Sequence, residues 1–231
     1  MYRKSDICPI YRMHFFSEEG AAMYLHKPIR SVIPGVQGLV LGVLANTTAP
    51  LTGRAITGLL AGDATTSGVS TALGRLAAEG LVTCEPAGRA NLYALNRNHV
   101  AAPAVEALND LRGELLRRIS TAMAAWSQPP IAAWMFGSAA RGEGTSASDI
   151  DILLVCPTEV DHDDVWITQT IGLAAQIQSW AGNSCEILEY TAEDLAALVA
   201  GGDPLVDSLR ADAIELMGAS PRSLLRPAVA K

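Results

Sequence analysis

Residues 136–155 read FGSAARGEGTSASDIDILLV, and the order of chemistry along this stretch decides the fold. An apolar run of strand length, Ile131 to Phe136, leads into Gly137 and Ser138, then Arg141, Gly142 and Glu143. After Thr145 to Ser148 a second run follows, from Asp149 through Ile150, Asp151 and Ile152 to Val155. Alternate side chains on a strand share a face, so Asp149 and Asp151 project together while Ile150, Ile152 and Leu154 turn inward. Residues two apart lie roughly 6 to 7 Å apart at the backbone, so their carboxylates can converge on one or two hard divalent cations. Magnesium takes oxygen ligands and suits a polyphosphate that completes its shell. A glycine lets backbone approach a bound phosphate closely, and exposed amides with a hydroxyl donate to its oxygens. Gly137 and Ser138 are therefore the expected phosphate cradle, with Arg141 adding charge nearby or pairing with Glu143. A lone Asp-x-Asp is more often a solvated strand edge. A Gly-Ser loop eleven residues ahead of it, after an apolar strand, is much rarer.

The stretch resembles the nucleotidyltransferase superfamily that includes DNA polymerase β, especially its small bacterial members, the minimal and the aminoglycoside nucleotidyltransferases. The Gly-Ser pair, the following Ala-Arg-Gly, and Ser-Asp-x-Asp with its hydrophobic tail carry the likeness, which spans roughly residues 129–198. The resemblance implies a third carboxylate on a neighbouring strand. Asn183 to Tyr190 is the next strand-like run; Glu186, ahead of an apolar pair, fits best, and Glu189, of opposite strand parity, is the second choice. An inward Glu186 without a partner would be costly to bury, and a metal removes that cost. Asp149, Asp151 and Glu186 are thus implied as catalytic residues and as ligands of two Mg2+ ions, with Mn2+ as an alternative. Gly137, Ser138 and Arg141 are the implied nucleotide-binding residues. The implied reaction moves a nucleoside monophosphate from an NTP, ATP by preference, to an acceptor hydroxyl, a transferase of the EC 2.7.7 type. Glu186, or whichever residue fills its place, is a candidate to take the hydroxyl proton. His162, beside Asp163 and Asp164, reads instead as the surface start of a helix.

That helix carries Ile167, Ile171, Ala174 and Ile177 on one side. Thr191 to Asp194 resembles a capping box, opening a helix lined by Leu195, Leu198 and Val199; Asp203 to Met217 reads as a last helix, and 219–231 as a loose basic tail.

Upstream, Val36, Leu39, Val40, Val43 and Leu44 make one apolar helical stripe. A short second helix from Leu51 is expected to bury Ala55, Ile56, Leu59 and Leu60. Thr66 or Ser67 can cap a third, with Val69, Ala72, Leu73, Leu76 and Ala77 inward. Two strand-like pieces, Leu81 to Glu85 and Asn91 to Leu95, flank a turn with Arg89 near its tip. Three short helices and a two-stranded wing in this order resemble a winged helix-turn-helix of bacterial regulators. That resemblance implies DNA contacts from Ser67, Ser70, Thr71 and Arg75 on the third helix and Arg89 in the wing. The same fold also serves protein contact or dimerisation. Pro103 to Ser127 reads as one long helix with a seam of Leu108, Leu111, Leu115, Ile119, Ala122 and Trp126, a linker or a dimer helix.

The expected fold is α+β: an N-terminal winged helix-turn-helix, mostly α with a β wing, then a nucleotidyltransferase α/β fold with a small mixed sheet. The corresponding division is 1–33 a flexible N-terminal extension, 34–99 the winged helix, 100–128 the linker or dimer helix, 129–218 the transferase, and 219–231 a flexible tail. Residues 1–22 read either as an arm or as sequence upstream of the true start, because Met23 opens a more ordinary beginning.

Composition agrees with two packed units. Of 231 residues 49% are apolar and 18% charged, enough for real cores and too apolar for a disordered chain. No uncharged apolar run reaches 18 residues, which argues against a membrane span. Four dispersed cysteines give neither a metal pattern nor a disulfide framework, so the expected location is a reducing cytoplasm. The net charge of −7 is unevenly spread. Residues 36–98 hold four Arg/Lys against three Asp/Glu, whereas 129–218 hold two against fifteen. An unaided acidic half repels phosphodiester backbones. The partners this reading admits are an NTP, DNA through the winged helix, a protein acceptor or toxin, and a second copy of the chain. Competing readings are a transcription regulator whose transferase-like half only senses nucleotide, an antitoxin acting by contact, and an aminoglycoside-type nucleotidyltransferase.

Overall fold

The structure is a computed structural model that describes residues 11–14, 22–143, 148–157 and 164–226. Thr145, Ser146 and Ala147, His162 with Asp163, the aromatics Tyr2, Phe15 and Phe16, and the last five tail residues lie outside the described residues. The chain divides into two compact units, 27–112 and a second formed by 1–26 with 113–231. No described helix is long and apolar enough to cross a membrane.

Unit 27–112 contains α1 (Val36–Ala45), β2 (Leu51–Thr52), α2 (Gly53–Leu59), α3 (Thr66–Ala78), β3 (Val82–Ala87), β4 (Ala90–Leu95) and α4 (Ala102–Asn109), while β1 (Tyr11–His14) belongs to the other unit. Its strands form an antiparallel sheet in the order β2-β4-β3. Leu39, Val40, Leu44, Ile56, Leu73 and Leu76 fill the core. The sequence missed β2: Leu51 and Thr52 pair with Tyr93 and Leu92 before Thr52 caps α2 by accepting the Ala55 N–H at 3.1 Å. That leaves α2 only seven residues, so one row, Ile56 and Leu60, reaches the core, and Ala55 and Leu59 face out. The cap of α3 is Thr65, one residue earlier than expected, through a 3.1 Å bond from the Gly68 N–H.

The long helix expected from Pro103 is two helices. It breaks at Asp110, whose non-helical backbone separates α4 from α5 (Leu111–Ala124). The apolar seam therefore serves two cores: Val105 and Leu108 pack with Leu39 and Leu44, whereas Leu115, Ile119 and Met123 pack in the other unit.

The second unit is built on a five-stranded sheet: β1 (Tyr11–His14), β5 (Ala132–Phe136), β6 (Ile150–Cys156), β7 (Cys185–Thr191) and β8 (Ile214–Gly218), ordered β1-β7-β6-β5-β8. Only β6 and β7 are parallel, as the crossover through α7 (Asp164–Ala181) requires. The period of two sends Ile150, Ile152 and Leu154 against α5 and α7, and Leu153 and Val155 against α8 (Ala192–Gly201) and α9 (Pro204–Asp212). The buried stripe of α7 is Trp166, Thr170, Leu173, Ala174 and Ile177, turned from the expected one, so Ile171 is exposed. Burying the larger indole turns the helix this way, and Trp166 Nε1 donates to Glu189 at 3.1 Å. The Thr191–Asp194 capping box is present in full.

The expected last helix ends early. Ala213 leaves the helical conformation and Ile214–Gly218 becomes β8, pairing with β5. Within the expected tail, Ser220 caps α10 (Pro221–Leu224), and the Arg210 guanidinium donates to the Leu225 carbonyl at 2.6 Å.

Burial makes the thiols a check on this fold. Cys84 is exposed, whereas Cys156 and Cys185 are buried; burial first, then Glu189 and Asp194, pushes the Cys156 thiol up to about 12. A thiolate is the reactive species. In a Cys8→Ser background, a thiol reagent at pH 8 should label one native cysteine promptly and all three only in denaturant. Rapid labelling of all three under native conditions contradicts this packing.

Candidate active site

Phe136 at the end of β5 opposes Asp151 on β6, Asp151 opposes Glu186 on β7, and Glu186 opposes His14 on β1. Directly opposed residues share a face of the sheet, so Asp151 and Glu186 lie side by side on adjacent strands. Asp149, two residues before Asp151, shares its parity. This is the face that carries Leu153, Leu188 and Tyr190 into the α8–α9 core; the carboxylates stand at its open end.

Gly137 follows β5 at φ +70° and starts α6 (Gly137–Arg141). A Cβ there would clash with Asp151 Oδ2 unless that side chain moved, and the positive φ strains any residue but glycine. The Gly-Ser turn and the second aspartate of Asp-x-Asp are thereby in contact, with Ser138 next along the chain. Arg141 is committed elsewhere. Its Nε donates to Glu143 at 2.8 Å and Nη1 lies 3.5 Å from Asp212, and Glu143 above all holds its pKa above the usual value.

The three carboxylates act on one reporter. Cys185, on the opposite face next to Glu186, has its thiol pKa pushed upward by burial and then by Asp151, Asp149 and Glu186 in that order. Glu189 lies on the other face, 1% exposed and bonded to Trp166, and Trp166 packs edge-on against Trp126. Among the described residues no three His, Cys, Asp or Glu side chains stand as a ready-made metal cage. The donor set still fits a hard cation: Asp149, Asp151 and Glu186 offer oxygen only, and Gly137 keeps the space against Asp151 Oδ2 clear of a side chain.

Two residues of this region carried no role in the sequence reading. Ser184 donates its hydroxyl to Asp149 Oδ1, and buried Asn183 donates Nδ2 to the Ser148 carbonyl at 3.0 Å. The available signal was a Gly-Asn-Ser turn, 182–184, between a helix and the strand bearing Glu186.

Residues 116–194 match the family model of a nucleotidyltransferase domain. No curated protein matches the chain. The matched span runs from α5 to the first turn of α8 and includes Gly137, Ser138, Asp149, Asp151 and Glu186; residues 1–115 fall outside it. The matched span thus carries its two Asp-x-Asp carboxylates and Glu186 on one sheet face.

In the other unit, Ser67, Ser70, Thr71 and Arg75 are all exposed on α3. Ser67, Thr71 and Arg75 line a groove of about 460 Å3 with Pro34 and Gln37 of the α1 end. Arg89 is exposed in the two-residue turn that joins Ala87 to Ala90.

The Gly137–Asp151 contact predicts strong coupling. Gly137→Ala should cost about 2–4 kcal/mol, from positive-φ strain plus overpacking. In an Asp151→Ala background only the backbone part, about 1–2 kcal/mol, should remain. Urea unfolding of the four proteins measures this, and strictly additive losses would contradict the contact.

Proposed function

We propose that the chain is a divalent-metal-dependent nucleotidyltransferase that moves a nucleoside monophosphate, AMP by preference, onto an acceptor hydroxyl. The observation carrying this reading is Asp151, set against Gly137 on one side and in register with Glu186 on the other.

Electrostatics argue for the metal. An NTP brings several negative charges to a stretch, 129–218, that holds Arg141 and Arg210 against fifteen acids, and Arg141 is already engaged by Glu143 and Asp212. Repulsion excludes a bare triphosphate from such a surface. Asp149, Asp151 and Glu186 would hold one or two Mg2+ ions, with Mn2+ as a substitute, which when bound neutralise phosphate charge and lower the pKa of a hydroxyl. Gly137 supplies a backbone that phosphate oxygens can approach without a side chain between, and Ser138 a hydroxyl donor. Glu186 takes the acceptor's proton as the new oxygen–phosphorus bond forms at the α-phosphate. The bond to the β-phosphate breaks and pyrophosphate leaves with its electron pair. Glu189, spent on Trp166 across the sheet, takes no part.

Residues 34–99 are read as a winged helix-turn-helix that places the enzyme on DNA. The order helix, strand, helix, helix and two-stranded hairpin supports this, as does the exposure of Ser67, Ser70, Thr71, Arg75 and Arg89. With four cations in this stretch, its salt dependence should be shallow. Such a pairing suits a regulatory or antitoxin-like transferase better than an antibiotic-modifying one.

Incubation with cell extract, Mg2+ and ATP labelled at the α-phosphate should place label in an acceptor fraction, whereas γ-labelled ATP should not. Asp151→Asn should cut transfer at least about a hundredfold. Label from neither position, with Mg2+·ATP still bound, would replace the enzyme with a nucleotide sensor. For DNA, Arg75→Ala and Arg89→Ala should each reduce the salt slope of a gel shift by about one; absence of any shift removes the DNA assignment.

A further inference from the structure

Three consecutive residues at the start of the Asp-x-Asp strand are gripped by two consecutive residues at the start of the neighbouring strand. The Ser148 carbonyl accepts from Asn183 Nδ2 at 3.0 Å, the Asp149 carboxylate accepts from the Ser184 hydroxyl, and the Ile150 N–H donates to the Ser184 carbonyl at 2.9 Å. Asn183 is 1% exposed, and its remaining capacity is turned to a distant segment: Oδ1 accepts the Met23 N–H at 3.1 Å. Met23 also donates to the Ala181 carbonyl at 2.8 Å, and Leu25 is buried in the core with Ile119 and Ile152.

From this arrangement we infer that Asn183 and Ser184 are positioning residues for Asp149, an inference that rests on reading Asp149 as a cation ligand. The physical need is specific. Asp149 precedes the first residue of β6, where ladder hydrogen bonds have only begun to fix the backbone, and it lies one residue from the segment 144–147 that joins it to the phosphate loop. Ser184 occupies Oδ1 and so sets the rotation of the carboxylate, leaving Oδ2 to face a cation. Hydrogen bonds that orient a ligand typically carry 10- to 100-fold in metal affinity. The same pair ties Met23 to the site through a single amide side chain, making residues 23–25 part of the framework beneath Asp149.

The test uses the full chain and Mn2+ with an α,β-methylene ATP analogue, read by electron paramagnetic resonance, beside the thermal midpoint of each variant. Wild type should bind Mn2+ and Asp149→Ala should lose it. Ser184→Ala should weaken Mn2+ about 10- to 100-fold with the midpoint nearly unchanged, and Ser184→Thr should restore affinity. In an Asp149→Ala background, Ser184→Ala should add no further loss. Wild-type affinity in Ser184→Ala, with Asp149→Ala impaired, overturns the positioning role while the transferase reading stands. Failure of wild type to bind Mn2+ with the analogue overturns that reading and this inference together.

Discussion

Two carboxylates on the same rung of neighbouring strands are an unfavourable pair, because like charges directly opposed in a sheet repel. Asp151 and Glu186 occupy that position, and Asp149 adds a third charge from the same strand end. Much of the second unit exists to hold them there. The parallel pairing of β6 and β7 fixes the rung, the two cores on either side of the sheet fix the strands, and the absence of a side chain at Gly137 makes room for Asp151. A stability-driven sequence would replace at least one of these acids with an apolar or neutral residue. On the proposed reading, a bound cation offsets that repulsion.

Much of this was legible because it depends on local rules. Strand parity put Asp149 and Asp151 on one face, separated Glu186 from Glu189, and sent Ile150, Ile152 and Leu154 to the core. The Thr191 box followed from side-chain chemistry that acts over four residues. What could not be read depends on partners distant in sequence. Ile214–Gly218 carries a pattern compatible with a helix and becomes a strand because the edge of β5 is there to receive it. Leu51 and Thr52 join a sheet only once Leu92 and Tyr93 stand opposite. The apparent helix from Pro103 kept its periodicity across Asp110 because two different cores sample the same seam. Asn183 and Ser184 were passed over for the same reason: their bonds reach 160 residues back to Met23 and 35 back to Ser148 and Asp149.

Charge separates the tasks of the two units more sharply than fold does. The unit containing α3 keeps a near-balanced composition, with small polar residues and Arg54, Arg75, Arg89 and Arg97 exposed. The stretch 129–218 of the larger unit concentrates acid. Even its local arginine, Arg141, is neutralised by Glu143 and Asp212. On the proposed reading, a polyanionic substrate would reach this acidic region only in company with cations.

The assignment of Tyr11–His14 and Leu25 to the same unit as residues 113–231 has a topological consequence. The smaller unit is an insertion, bounded at both ends by residues of the larger one. A clone that begins at residue 113 would discard an edge strand, a core leucine and the amide that Asn183 grips. The natural way to isolate the larger unit is to excise the middle and rejoin residue 26 to residue 113.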